Sequence, residues 1–245
     1  MPPHHVVTDH AILERSMILP ANGARTLQRT IRGVCVFTLG YSMIGAQPYA
    51  GVLGGISTLS GDARSVIEAG GASASSYKPE NGGVVTGFGG MHLNDFLSLQ
   101  GNYTWNRNNL ALFGIRNLGD VYEQSRRSTQ HSAGVDLLLY FRGRRSWVRP
   151  FLSAGAGVAR FKSGATGQAV RRGNTELPPD HFSSTKASIR VAVGIDLRIA
   201  RGWAFRYSFL EAIQGNPISP RLSPPGVRNL ATFQNLFGVV RFIGN

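Results

Sequence analysis

The chain has 245 residues, with 31 glycines, 9% aromatic residues, a single cysteine and a formal charge of +13. No apolar run approaches the roughly 18 to 20 residues that a spanning helix requires, so an α-helical membrane protein is excluded. A spanning β-barrel is not, because its lipid-facing residues alternate with polar ones. The length and glycine content suit one all-β domain better than two domains.

At the N-terminus, Arg25, Arg29 and Arg32 precede a mostly apolar stretch at 34–46 that ends in the small residues Gly45 and Ala46. A positive segment, an apolar segment of this length and a small-residue end together predict a secretory signal peptide cleaved after Ala46. Residues 1–46 are therefore read as leader and 47–245 as one barrel domain, and Met17 would start a leader of ordinary length. The only cysteine, Cys35, falls inside the leader, so the exported chain has no disulfide. Cleavage removes four of the 26 basic and two of the 13 acidic residues, leaving a charge near +11. An exported chain with this excess meets anionic lipid rather than nucleic acid, and lipopolysaccharide phosphates are its natural partner.

Along the rest of the chain, period-2 alternation bounded by turn residues predicts strands at 49–58, 83–93, 96–106, 129–141, 147–161, 187–199, 203–213 and 231–243. Four of them have the 9 to 11 residues that a tilted strand needs to cross a bilayer, and the other four are longer, at 13 to 15. The connections at 93–95, 142–146 and 200–202 are tight turns, whereas 60–82, 107–128, 162–186 and 214–230 read as long polar loops. Strict alternation of short and long links predicts an eight-stranded antiparallel up-and-down transmembrane β-barrel, with short periplasmic turns and long extracellular loops.

The two faces of each strand differ in chemistry. Ile189, Val191, Val193, Ile195 and Leu197 share one face, and Arg190, Ala192, Gly194, Asp196 and Arg198 the other. The first set is expected to face lipid and the second a narrow polar lumen. If the turn at 200–202 pairs Ile199 with Trp203, Asp196 lies opposite Arg206, whereas a shift of two places Arg198 against Arg206. Like-charge repulsion in a confined space selects the first register. Asp136, Arg190, Asp196, Arg198 and Arg206 then form a lumenal polar column that obstructs a pore.

The segment Gly87-Phe88-Gly89-Gly90-Met91-His92-Leu93-Asn94-Asp95-Phe96-Leu97-Ser98-Leu99-Gln100-Gly101-Asn102-Tyr103-Thr104 resembles the second hairpin of small outer-membrane barrels of the OmpA and OmpX type. Arg149-Pro150-Phe151-Leu152-Ser153-Ala154-Gly155-Ala156-Gly157-Val158 is similar to their fifth strand. The ending Leu236-Phe237-Gly238-Val239-Val240-Arg241-Phe242 resembles the signal read by the barrel-assembly machinery, which the resemblance implies as a partner during biogenesis. It further implies residence in the bacterial outer membrane as a monomer, and a structural or surface-interaction role.

No catalytic motif, metal-ligand spacing or cofactor fingerprint is legible, so neither a cofactor nor enzymatic activity is expected. Gly155-Ala156-Gly157 lacks a third glycine and a following helix. His131 would need a serine two residues away to share its strand face, but Ala133 stands there and Ser132 points the other way. Basic residues of the expected loops, Arg126, Arg127, Lys162, Arg171, Arg172, Arg221 and Arg228, are candidate contacts for lipopolysaccharide phosphates. Two rival functions remain at this stage, a narrow pore for ions or small solutes and a lipid A-modifying enzyme. The second is disfavoured by Ser132, and the first by the width of an eight-stranded interior, which side chains just fill.

Overall fold

The computed structural model describes residues 46–68, 71–116, 119–174 and 176–244. The leader expected at 1–46 lies, apart from Ala46, outside the described residues. Strand β1 (Gln47–Leu59) is followed by β2 (Asp62–Glu68), β3 (Gly71–Pro79), β4 (Gly82–His92) and β5 (Leu97–Arg116). The chain continues through β6 (Asp120–Tyr140), β7 (Val148–Ala165), β8 (Val170–Arg172), β9 (His181–Ala200), β10 (Trp203–Gly215) and β11 (Asn229–Phe242).

Eight of these strands close a ring in the order β1, β4, β5, β6, β7, β9, β10, β11, every pair antiparallel, with β1 and β11 forming the seam. The register fixes the shape of the ring. A row of paired residues leaving Thr58 passes through Phe233, Glu211, Val191, Ala154, Leu137, Leu99 and Met91 and returns to β1 at Pro48, ten residues lower. Eight strands with a stagger of ten tilt by about 40° from the barrel axis. Each residue then climbs roughly 2.5 Å, and about ten cross an apolar band some 25 Å tall.

The outward positions match such a band. Leu99, Tyr103, Trp105, Leu137, Val193 and Phe209 are exposed, and at its upper edge the outward face turns basic at Arg107 and Arg160. Burial alternates with period 2 along β5 and β10, so the opposite face fills the lumen.

The strands do not stop where the apolar band stops. The segments 107–128 and 162–186, expected as polar loops, are in large part strand: β5 and β6 run on to Arg116 and from Asp120, and β7 and β9 to Ala165 and from His181. The expected loop at 60–82 is a β-hairpin, β2–β3, which extends the sheet by pairing β3 with the upper half of β5. Water explains both the structure and the misreading. Above the band the outer face meets solvent, so apolar residues move to the inner face while the pairing continues. Leu110, Leu112, Tyr122, Phe161 and Phe182 point inward and form, with Leu59, Tyr77 and Leu230, a hydrophobic core outside the membrane level.

Residues 216–228 fold over this core and add Ile218 and Leu222, both buried. The Asn216 amide donates to the Tyr77 hydroxyl at 2.8 Å, the Ser75 hydroxyl to the Pro224 carbonyl at 2.5 Å, and Val227 N–H to Asp62 Oδ2 at 2.6 Å. The projecting part is thus packed and tied, with its own interior.

The turn at 200–202 departs in detail from expectation. Trp203 pairs with Ala200 rather than Ile199, and a register shift between Trp203 and Ala204 restores the alignment that sets Arg206 opposite Asp196. Gly202, at φ +72°, carries the left-handed turn that a side chain would strain.

Candidate functional site

The lumen is packed with side chains in layers. In the lower layer Arg206 is 1% exposed and grips Asp196 with two bonds, Nε to Oδ1 at 2.6 Å and Nη2 to Oδ2 at 2.8 Å. Its remaining donors reach Gln100 Oε1 at 2.8 Å and the Tyr140 hydroxyl at 2.7 Å, and Tyr140 itself donates to Asp196 at 3.0 Å. The rings of Phe88 and Phe151 lie 5.0 and 4.9 Å from the guanidinium carbon, which lets apolar walls surround a cation at low cost. One layer up, Arg190 meets Asp136 at 3.2 Å, and Asn102 donates to the same carboxylate at 2.8 Å. Higher still the lining is polar but uncharged, with Thr86 against Thr104 at 2.9 Å and Asn106 donating to Ser57 at 2.9 Å.

The space left among Thr86, Gln100, Asp136, Arg190 and Arg206 is about 20 Å³. That holds little more than one water molecule. The hydrophobic core of the projecting end closes the upper end, and Tyr49, Phe88, Tyr140, Phe151 and Phe242 narrow the lower end.

Four of the five residues expected in the polar column therefore meet as two ion pairs, and Arg198 does not join them. It sits below the closing layer at the lower mouth, half-buried, with Nη2 donating to the Arg144 carbonyl at 2.5 Å. Its parity is lumenal, but it lies two residues nearer the turn than Asp196, where the lumen has already opened.

The expected phosphate contacts divide as well. Arg126 is 1% exposed and inward, bonded to Gln124 Oε1, Ser163 Oγ and the Asp180 carbonyl, so it is no surface contact. The extension of β6 gives it even-numbered, inward parity, which a loop reading could not supply. Arg127, Lys162, Arg171, Arg172, Arg221 and Arg228 are exposed. Arg127 and Lys162 line an outward groove of about 590 Å³ with Thr129, His181 and Ser183, just above the apolar band. Arg107 and Thr129 pair across β5 and β6 in the same row as Lys162, and Arg160 lies one outward position below it. Arg107 and Arg160 were missed by the sequence reading. Their signal was present, since each follows an outward apolar residue, Trp105 or Val158, at strand spacing.

His131 faces outward and its Nδ1 lies 2.6 Å from the Tyr103 hydroxyl. Its same-strand outward neighbours are Thr129 and Ala133, while Ser132 points into the lumen and is 7% exposed. Among the described residues no group of three or more potential metal ligands is assembled.

A sequence profile of the outer membrane protein beta-barrel domain matches residues 37–220. No curated protein sequence matches the chain. Among solved structures, neisserial surface protein A is similar with 17% identity and a TM-score of 0.48, over 80% of this chain and 98% of that one. OprG from Pseudomonas aeruginosa is similar with 12% identity and a TM-score of 0.48, over 82% and 97% of the two chains. Ail, the attachment invasion locus protein of Yersinia pestis, shows 11% identity and a TM-score of 0.40, over 79% and 99%.

Proposed function

Because the chain belongs to the outer membrane protein beta-barrel domain family and is thus a protein of the bacterial outer membrane, we propose that it is a non-catalytic barrel that displays a rigid surface outside the cell. The observation that carries this reading is the closed lumen. Among the described residues, two buried ion pairs, a residual space of about 20 Å³ and a packed extracellular core stand across the path a solute would take. In place of a path, the fold invests its length in strands of 20 and 21 residues, about twice what a bilayer crossing takes. The product is a projecting sheet with a core of its own.

In this reading export removes the leader after Ala46, in keeping with the first strand beginning at Gln47. The C-terminal strand segment from Leu236 to Phe242, paired with β1 at the seam, is what the assembly machinery engages. The outward basic cluster of Arg107, Arg127, Arg160 and Lys162 meets lipopolysaccharide phosphates at the outer-leaflet surface, where guanidinium groups bind phosphate through two parallel bonds.

Single-channel recording of the refolded protein in planar bilayers tests the role. The expected trace is flat, and a stable open level would establish the rival reading of a narrow pore. Arg127→Gln with Lys162→Gln is expected to reduce co-purifying lipopolysaccharide, and an unchanged amount would remove that partner from the proposal.

A further inference from the structure

At the periplasmic end the barrel opens into a concave vestibule of about 640 Å³, framed by the short turns after β4, β6 and β9 and by Gln47. Five arginines line it: Arg144, Arg145, Arg149, Arg198 and Arg201. Two carboxylates face them, and both are engaged. Asp95 accepts from Arg144 at 2.7 Å, and Asp196 is held by Arg206. With Asp196 neutralised by Arg206 and Asp95 set against one of the five, four positive charges remain in excess within one concavity.

Such crowding is costly and is relieved by an anion. The floor is built rather than incidental. Arg149 is 4% exposed, its guanidinium lies 3.9 Å from the Tyr140 ring centre, and Nη2 donates to the Asp95 carbonyl at 3.2 Å. Arg145 and Arg201, by contrast, are exposed on two different turns and make no side-chain hydrogen bond among the described residues.

We propose that this vestibule binds a phosphate group presented on the periplasmic side. Guanidinium groups arriving from separate turns require an acceptor that can be approached from several directions. A tetrahedral phosphate with up to two charges meets this requirement, and a planar carboxylate with two oxygens does not. The site is blind, because the Arg206, Asp196 and Tyr140 layer closes the lumen directly above it. The bound group is therefore held and not passed through. Its source is either the headgroup of a phospholipid of the inner leaflet or a soluble phosphorylated molecule.

Calorimetry with inorganic pyrophosphate on the protein refolded in uncharged detergent tests the site. One saturable equivalent is expected, at least tenfold weaker in Arg145→Gln/Arg201→Gln. Arg64→Gln/Arg116→Gln removes the same charge from the extracellular end and is expected to leave the affinity unchanged. Heat-modifiable gel mobility reports that each variant is folded. In nanodiscs, replacing part of the phosphatidylcholine by phosphatidylglycerol distinguishes the sources: a tenfold loss of pyrophosphate affinity identifies the headgroup, and no loss identifies a soluble phosphate. Absence of saturable binding, equal losses in the two double variants, or citrate binding as tightly as pyrophosphate would overturn the proposal.

Discussion

Asp196→Ala removes the carboxylate that holds Arg206 and leaves a guanidinium 1% exposed, with only Gln100 and Tyr140 as hydrogen-bonding partners. The two bonds lost are short and charge-assisted, at 2.6 and 2.8 Å, and the neighbouring rings of Phe88 and Phe151 offer no hydrogen-bond acceptor of equal strength in their place. Breaking a buried pair on one side costs about 3 to 5 kcal/mol, most of it the burden of the stranded charge. Both partners are at most 2% exposed in the intact barrel, and water entering from the vestibule that Asp196 lines sets the loss toward the lower end of this range. With a urea dependence near 2 kcal/mol per molar, the midpoint of the refolded barrel falls by about 1.5 to 2.5 M. Arg206→Met in the same background removes the stranded charge and fills its volume, so the double variant is expected to recover about 2 kcal/mol or more of the loss. The assay is equilibrium urea unfolding in detergent or lipid, followed by tryptophan fluorescence and gel mobility. If the two single changes add to within about 0.5 kcal/mol, the pair is not coupled and the reasoning about the lower lumen is refuted.

Three further outcomes are expected. Gly155→Ala drives a methyl into Asp136 Oδ1 and the Val135 carbonyl, so it should lower stability by about 1 to 3 kcal/mol in the same unfolding assay; Gly87→Ala, which points into open space, should not. Trypsin added to intact cells should cut at Arg171 or Arg172 and at Arg221 or Arg228, and spare Arg142, Arg144 and Arg145; peptide mapping that finds the latter cleaved would invert the barrel in the membrane. The Asp95 carboxyl, hydrogen-bonded to Arg144, is held below the usual carboxylate range. Because its folded pKa is depressed, the pair's small contribution is present above the unfolded pKa and fades as pH falls through the folded one. NMR titration should show that value returning upward in Arg144→Gln.

The ring strands were legible because the membrane imposes a rule on sequence: outward residues apolar, inward residues small or polar. The alternation of Ile189 to Leu197 against Arg190 to Arg198 follows from it, and so does the register that brings Asp196 to Arg206. The upper halves of β5, β6, β7 and β9 were not legible, because the rule reverses where lipid gives way to water. Leu110 and Leu112 occupy the inward parity that Gln100 and Asn102 hold lower in the same strand, and the crossing over reads in sequence as a loss of pattern. The hairpin β2–β3 gave even less signal, since Ser73, Ser75 and Ser76 pair with β5 through backbone bonds that any residue supplies. Arg126 was misplaced for the same reason, its inward parity being meaningful only once β6 is known to continue. The vestibule arginines fall in two sequence clusters, Arg144, Arg145 and Arg149 around the start of β7 and Arg198 and Arg201 around the end of β9, and nothing local announces that the two clusters share a concavity.

The reversal of polarity along β5 and β6 also bears on how the protein enters its membrane. The upper end of this hairpin carries Arg116, Asp120, Glu123, Arg126 and Arg127, and all of them must traverse the hydrocarbon before the barrel can close. Each charge at the bilayer centre opposes passage by about 2.5 to 3.5 kcal/mol or more. Part of the load cancels if Arg116 and Asp120, directly opposite in the ladder, cross as a pair. Translocation of this tip is then expected to slow insertion. Its rate should depend on bilayer thickness far more steeply than that of a barrel whose hairpins end at the membrane surface.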